Sequence, residues 1–162
     1  MPRLPTLLVL TALLAPGLAD GVLAQAPGYR GPSARQLQAE YRAEVIGKVN
    51  DALLAWSASW SGDELEELAE LYREDATIIE DGGVPIRGPD AIREWLAARL
   101  ATDGHAQLHL QDFDARGGMA MAHSTFRIAA ADESTADTGN VITVFIQDGS
   151  RWRIRSQLFM RD

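Results

Sequence analysis

Apolar residues recur every three or four positions over residues 37–60, which predicts one long amphipathic helix. Ser33 followed by Gln36 is typical of a capping box at its start, and Ser61-Gly62 ends the pattern. The apolar stripe consists of Leu37, Tyr41, Val45, Val49, Leu53, Trp56 and Trp60.

A second, shorter helix is predicted to begin at a cap formed by Asp63 and Glu66. Its inward side carries Leu65, Leu68 and Tyr72. A β-branched run over residues 76–80 then turns at Asp81-Gly82-Gly83 and returns over 84–86, which predicts a short hairpin. Gly88-Pro89 opens a third helix, with Ile92, Trp95, Leu96 and Leu100 on its buried side and Asp103-Gly104 at its end.

The remaining third of the chain has the pattern of strands joined by short turns, which predicts an antiparallel meander. Turn residues at 117–118, 132–137 and 148–150 separate the strands. The predicted strands are 106–115, 119–130, 138–147 and 152–160.

The first 26 residues have the pattern of a secretory signal peptide. Arg3 supplies a positive start, residues 4–18 carry no charge, and Ala24-Gln25-Ala26 is a small-x-small cleavage site. A membrane helix needs about 20 apolar residues, and Pro5 and Pro16 interrupt this run; a retained anchor is the alternative. We therefore expect an exported, periplasmic or extracellular protein, with a flexible lead-in over 27–32 and a single domain over 33–162.

The amino-acid composition argues against several classes of partner and of catalytic group. The net charge of −8 disfavours nucleic acid and anionic membranes as partners. The absence of cysteine excludes disulfides, thiolate catalysis and cysteine metal sites. No Gly-rich nucleotide fingerprint is present, and we expect no cofactor.

Three stretches resemble the nuclear transport factor 2-like superfamily, which includes ketosteroid isomerases and SnoaL-like polyketide cyclases. They are residues 62–77, the Gly88-Pro89-Asp90-Ala91-Ile92 helix start, and Asp148 to Ile154 before the last strand. The resemblance implies an α+β fold in which a curved antiparallel sheet forms a cone around the long helix. It also implies a tapered cavity suited to a small, largely apolar molecule and homodimers formed through the outer face of the sheet.

By this resemblance Glu80 is the candidate catalytic residue, since the general base of ketosteroid isomerases follows an Asp-Ala-Thr stretch, here Asp75-Ala76-Thr77. A carboxyl group at an apolar wall favours its protonated form, which suits proton transfer. The alternative is a polar residue beside a hairpin turn. Asp81 is expected on the opposite face.

The resemblance provides no matching oxyanion donors. The helix position corresponds to Trp56 and the strand position to Thr143, in place of a tyrosine and a protonated aspartate. A steroid-isomerase mechanism is therefore not expected, whereas another isomerisation, dehydration or cyclisation stays open. The candidate ligand-binding residues are Trp56, His109, Phe126, Thr143, Gln157 and Phe159.

Two of these assignments depend on strand register. The resemblance places Gln157, Phe159 and Arg161 towards the cavity, whereas composition alone favours Ser156, Leu158 and Met160. On one strand His105 and His109 would lie about 13 Å apart, too far for one zinc ion, and His123 is expected to reach at most one of them; no metal site is expected.

Three functions follow from this sequence: a small-molecule-binding module, a cofactor-free enzyme with Glu80 as base, and a dimerising interaction protein with an incidental cavity. A roomy cone at Glu80 would favour the first two, and a filled cone would favour the third.

Overall fold

A computed structural model describes residues 31–162. The predicted signal peptide and the first part of the lead-in lie outside these residues. The elements follow in the order α1 (Ala34–Ser61), α2 (Leu65–Glu70), β1 (Tyr72–Glu80), β2 (Ile86–Arg87), α3 (Pro89–Leu100), β3 (Asp103–Arg116), β4 (Met119–Ala130), β5 (Ala136–Asp148) and β6 (Arg151–Arg161).

The long helix α1 begins at the predicted capping box, in which the Ser33 side chain accepts from the Gln36 backbone N–H and the Gln36 side chain accepts from the Ser33 N–H. The apolar stripe is buried from Val45 to Trp60. Its first member, Leu37, is 52% exposed, so the first turns of α1 are not covered by the sheet among the described residues.

The second helix differs from the prediction. Helix α2 spans only Leu65–Glu70, and its N-cap Glu64 makes no side-chain capping hydrogen bond. Asp63 has a φ of 57° and therefore lies in a left-handed turn instead of capping the helix. Tyr72 opens β1 rather than ending the helix, and it reaches the core from the first position of that strand.

The predicted α+β fold is confirmed. A single six-stranded sheet has the order β2-β1-β6-β5-β4-β3, and the meander β3 to β6 is antiparallel, as predicted. Strands β1 and β6 pair in parallel. Helix α1 lies along β3, where Ser57 accepts a hydrogen bond from the Leu108 N–H at 3.1 Å.

Two single-residue bulges exchange the inner and outer faces along their strands. In β3 the register shifts between Leu110 and Asp112, so even-numbered residues point inward before Gln111 and odd-numbered residues after it. In β6 the shift lies at Arg155, between Ile154 and Ser156, so Ile154 and Gln157 are both buried. Such bulges bend and twist a sheet, and these two lie in the strands that wrap around α1.

The core lies between α1, α3 and the inner face of the sheet, and its largest side chains are aromatic. In the described part of the chain, no helix is both long enough and apolar enough to span a bilayer.

Candidate functional site

The interior of the cone contains most of the predicted ligand-binding residues. Trp56, Thr143 and Gln157 are at most 1% exposed, and Phe159 and Phe126 are 2% and 3% exposed. The face implied by the family resemblance is therefore the inner face of β6, and Leu158 and Met160 lie outside. Composition alone indicated the opposite register because the outer face of β6 exposes apolar side chains of its own, Leu158 and Met160.

The polar side chains of this set form one buried hydrogen-bond network. The Trp56 Nε1–H donates to the Tyr72 hydroxyl at 2.9 Å, and that hydroxyl donates to Gln157 Oε1. Gln157 Nε2 in turn donates to Thr143 Oγ1 at 3.3 Å. Burial raises the pKa of Tyr72 far above its usual value, although the hydrogen bond from Trp56 acts in the opposite direction. Trp56 and Thr143, the two positions matched to oxyanion donors, are therefore both engaged in this network.

Next to this network five aromatic rings pack as one cluster: Trp56, Trp60, Trp95, Phe126 and Phe159, which we call the aromatic cluster. The Trp56 and Trp60 ring centroids are 4.7 Å apart, and Trp60 and Trp95 are 5.9 Å apart. Phe159 contacts Trp56, Trp95 and Phe126 at 6.3, 6.1 and 5.4 Å. These distances are those of offset and edge-to-face aromatic pairs.

The aromatic cluster fills the interior. Trp56 and Trp60 are 0% and 2% exposed, which leaves no room for a water molecule beside most of their surface. A ligand can therefore enter only if a ring moves. Trp95 is the ring with freedom to do so, since it is only partly buried.

Glu80 lies at the open end of the cone, on the last residue of β1. Its side chain is 26% exposed. Oε2 accepts from the Trp95 Nε1–H at 2.9 Å, and Oε1 pairs with Arg161 Nη2 at 2.6 Å. The carboxylate is therefore held between the aromatic cluster and a cation, and not against a purely apolar wall.

Arg161 is the centre of an ionic network at this end of the cone, which we call the mouth network. It pairs with Glu80, with Asp81 at 3.3 Å and with Asp137 at 3.2 Å. Asp137 also pairs with Arg99 of α3 at 3.3 Å. Desolvation lowers the pKa of Arg161, but its hydrogen bonds to Glu80 and Asp137 outweigh that effect and raise the pKa above its usual value. Asp81 and Glu80 both pair with the guanidinium group of Arg161, although Asp81 was predicted to lie on the opposite face.

A groove borders Trp95 on its outer side. It has a volume of about 600 Å3 and is lined by Ile86 and Arg87 of β2 and by Ala91, Glu94, Trp95 and Ala98 of α3, together with Pro85. This volume falls within the range of ligand sites, about 300–1,000 Å3. Trp95 thus separates a surface groove from the aromatic cluster.

The structure corrects the position of His109. It is exposed on the outer face of β3, because Ala106 and Leu108 take the inner face before the bulge. Alternation of Ala106, Leu108 and Leu110 in the sequence was the signal for this orientation. His123 also faces outward, with Nε2 2.9 Å from Asn140 Oδ1. Within residues 31–162 no three His, Asp or Glu side chains are grouped so as to hold a metal ion.

Sequence reasoning missed the roles of Tyr72 and Trp95, both of which it assigned to packing. Tyr72 appeared as a member of a helical stripe, so its hydroxyl had no visible partner. The contact between Trp95 and Glu80 joins residues 15 positions apart, across a hairpin and a helix, and no local pattern reports it.

Comparison with known proteins places this geometry in a family. The profile of the SnoaL-like domain matches residues 53–158, which include α3, strands β1 to β5, most of β6 and most of the aromatic cluster. The chain belongs to the SnoaL-like domain family. No curated protein sequence matches it.

Solved structures similar to this SnoaL-like domain confirm the nuclear transport factor 2-like cone. A variant of Rv3472, a protein of unknown function from Mycobacterium tuberculosis, is 19% identical with a TM-score of 0.68, covering 76% of this chain and 75% of the other. A candidate scytalone dehydratase from Novosphingobium aromaticivorans is 14% identical with a TM-score of 0.67, covering 76% and 88%. A candidate dehydratase from Streptomyces avermitilis is 15% identical with a TM-score of 0.62, covering 72% and 95%. At these identities the likeness concerns the fold.

Proposed function

We propose that this SnoaL-like domain binds a small, largely apolar molecule at the mouth of the cone. The observation that carries the proposal is the position of Trp95. One side of its ring borders a groove of about 600 Å3, and the other contacts Trp60 and Phe159. When the Trp95 side chain turns, the groove and the aromatic cluster become one apolar site.

The motion that this proposal requires breaks one hydrogen bond and the ring contacts of Trp95 with Trp60 and Phe159. Within the described residues, one side-chain hydrogen bond, from Nε1–H to Glu80, holds the Trp95 ring at the mouth. A single hydrogen bond of this kind contributes about 0.5–1.5 kcal/mol, and a ligand that occupies the vacated space restores the lost apolar contacts. Binding is therefore expected to be slow in association, because it waits for Trp95, rather than weak.

Titration with the neutral fluorophore N-phenyl-1-naphthylamine tests the proposal. Wild type is expected to bind one molecule per chain, and Trp95→Ala is expected to raise the association rate about tenfold or more, as expected when about 1.4 kcal/mol of barrier is removed. Trp152→Phe is the matched control, since Trp152 is buried on β6 without a ring contact to the aromatic cluster. Absence of binding in wild type, or the same rate in Trp95→Ala, would contradict the proposal.

Proton transfer by Glu80 is the second candidate, as a cofactor-independent isomerase, dehydratase or cyclase. The observation that favours it is that both carboxylate oxygens are fixed at the border of the apolar site by Trp95 and Arg161. The names of two structural relatives, both candidate dehydratases, point the same way. The ion pair with Arg161 opposes it, because the guanidinium group already occupies Oε1 of the carboxylate at 2.6 Å.

A dimerising module is the third candidate, and the filled interior favours it. The outer face of the sheet exposes Met119 and Met121 on β4 and Leu158 and Met160 on β6. Strand β5 lies between these two strands. We propose a homodimer through this face, since an antiparallel sheet can cover its own core with one face and a partner with the other. Leu158→Asp is expected to give monomers by light scattering at micromolar concentration. Leu54→Asp on α1, at 55% exposure, is the control, and dimers in both variants would contradict the proposed face.

Export is part of the same proposal. Cleavage after Ala26 in a bacterial host is expected to give a mature chain that begins at Pro27. Intact-mass measurement on the periplasmic and cytoplasmic fractions checks this, and a full-length chain confined to the cytoplasm would contradict it.

A further inference from the structure

Trp56 and Trp60 lie one helical turn apart on the same face of α1, and their indole N–H groups have different surroundings. Both rings are buried, at 0% and 2% exposure. The Trp56 N–H donates to the Tyr72 hydroxyl. The Trp60 N–H is buried and has no acceptor among residues 31–162.

A buried donor without an acceptor is rare in folded proteins and costs free energy relative to a paired one. Trp60 also lies directly behind the entrance, because its ring contacts that of Trp95, which borders the surface groove. When Trp95 turns, the Trp60 ring is the next surface that an incoming molecule meets. A ligand that reaches this ring can supply the acceptor that the described residues lack.

We propose that the Trp60 Nε1–H is the hydrogen-bond donor that recognises the ligand, and that the ligand is a small, flat apolar molecule with one uncharged oxygen acceptor, such as a ketone. This inference rests on the proposed binding function and specifies its ligand class.

The charge at the mouth disfavours an anionic acceptor, and the groove adds one cation and one carboxylate, Arg87 and Glu94. The mouth network contains the carboxylates of Glu80, Asp81 and Asp137, and Asp103 joins it through Arg99 at 2.9 Å. Only two guanidinium groups, those of Arg99 and Arg161, balance these four carboxylates within the network. A carboxylate or phosphate ligand would therefore meet a net negative rim, whereas a neutral ketone would not.

Two probes of equal shape test the inference: 1-indanone, which carries a ketone, and indane, which lacks it. Their dissociation constants are measured by competition with N-phenyl-1-naphthylamine in wild type, Trp60→Phe and Trp56→Phe. Each variant loses the same indole atoms from the same helix, so the ratio of the two constants isolates the ketone. Trp60→Phe is expected to shift this ratio towards indane by about 3–10-fold, the effect of one neutral hydrogen bond. Trp56→Phe is expected to leave it within about twofold.

A second measurement uses the unaltered protein and does not depend on how the variants fold. In a nitrogen-15 correlation spectrum, 1-indanone is expected to shift the Trp60 indole N–H proton downfield, whereas indane is not. Equal ratios in all three proteins, or the same Trp60 shift with both probes, would overturn the inference while the binding function stands. If neither probe competes and neither moves the Trp60 signal, the binding function itself fails.

Discussion

The two polar networks of this domain lie at opposite depths of the same cone and are built from different chemistry. The inner network consists of Trp56, Tyr72, Gln157 and Thr143, all neutral and at most 4% exposed. The mouth network around Arg161 consists of charged groups that are between 12% and 45% exposed at their side chains. A buried network of neutral groups has no water to replace a lost partner, whereas water can solvate the members of an exposed ionic network.

From this contrast we expect the inner network to govern the stability of the fold and the mouth network to govern access to the aromatic cluster. The inner network is expected to hold the sheet on α1, because each of its hydrogen bonds joins different elements: α1 to β1, β1 to β6, and β6 to β5. The mouth network is expected to add little stability and instead to hold Glu80 and, through it, Trp95. The following predictions test that division, beginning with the largest effect.

Replacement of Tyr72 by Phe should have the largest effect on stability. It leaves the Trp56 N–H without an acceptor and Gln157 Oε1 without a donor, and two orphaned buried groups cost about 2–4 kcal/mol in the free energy of unfolding. Urea unfolding measures this through the transition midpoint. Tyr41→Phe is the control, because its hydroxyl donates to Gly117 O at an exposed position and its loss should cost about 1 kcal/mol or less. Equal costs would contradict the contrast.

Alkaline pH should attack the inner network without any mutation. Burial raises the pKa of Tyr72 above that of a tyrosine in the unfolded chain. The protonated side chain therefore makes its full contribution to the free energy of unfolding below about pH 10. Above that pH the free energy of unfolding should fall by up to about 1.4 kcal/mol per pH unit. Ultraviolet titration should show Tyr72 ionising only as the protein unfolds; ionisation of every tyrosine near pH 10 with retained structure would contradict the burial.

Replacement of Arg161 by Gln should change access more than stability. The free energy of unfolding is expected to fall by about 1 kcal/mol or less, since partly exposed ion pairs contribute little. Acrylamide quenching of tryptophan fluorescence is expected to increase, because Glu80 loses the group that fixes it against Trp95. Arg155→Gln is the matched control on the same strand, where Arg155 pairs with Asp75 at 3.1 Å. A loss of stability as large as that of Tyr72→Phe would contradict the division.

Replacement of Glu80 by Gln should have the smallest effect on folding. The amide keeps an oxygen that can accept from Trp95, so the free energy of unfolding should change by about 0.5 kcal/mol or less. If Glu80 is a general base, turnover on a panel of enolisable ketones should disappear, because an amide does not accept a proton near neutral pH. Retained turnover in Glu80→Gln would exclude Glu80 as the base.

Local patterns in the sequence were sufficient for most of the elements, and the family resemblance supplied the fold. The capping box at Ser33, the proline at the start of α3 and the turn residues between the long strands each act over a few positions, and the structure has α1, α3 and β4 where these signals indicate. The error at Asp63 and Tyr72 has a physical cause. Leu65, Leu68 and Tyr72 have helical spacing, but Tyr72 is buried because β1 starts there and pairs with Ile154.

The site was harder to predict because it depends on contacts between distant residues. Gln157 and Phe159 were placed inward by the family resemblance, and the bulge at Arg155 gives the physical reason. His109 lies on the outer face because Ala106 and Leu108 occupy the inner face of β3 before the bulge. The partners of Glu80, which are Trp95 and Arg161, lie 15 and 81 positions away, and the pattern around Glu80 contains no trace of either.

The bulge at Arg155 has a consequence for how this chain can change over evolutionary time. Deletion of that one residue would remove the bulge and join the two halves of β6 in a single alternation, with Ile154, Gln157 and Phe159 still on the inner face. Loss of the bulge without loss of a residue would instead turn the strand end inside out, so that Leu158 and Met160 would face α1. A substitution changes one side chain, whereas a regular β6 of unchanged length would exchange the inner and outer faces of the whole strand end.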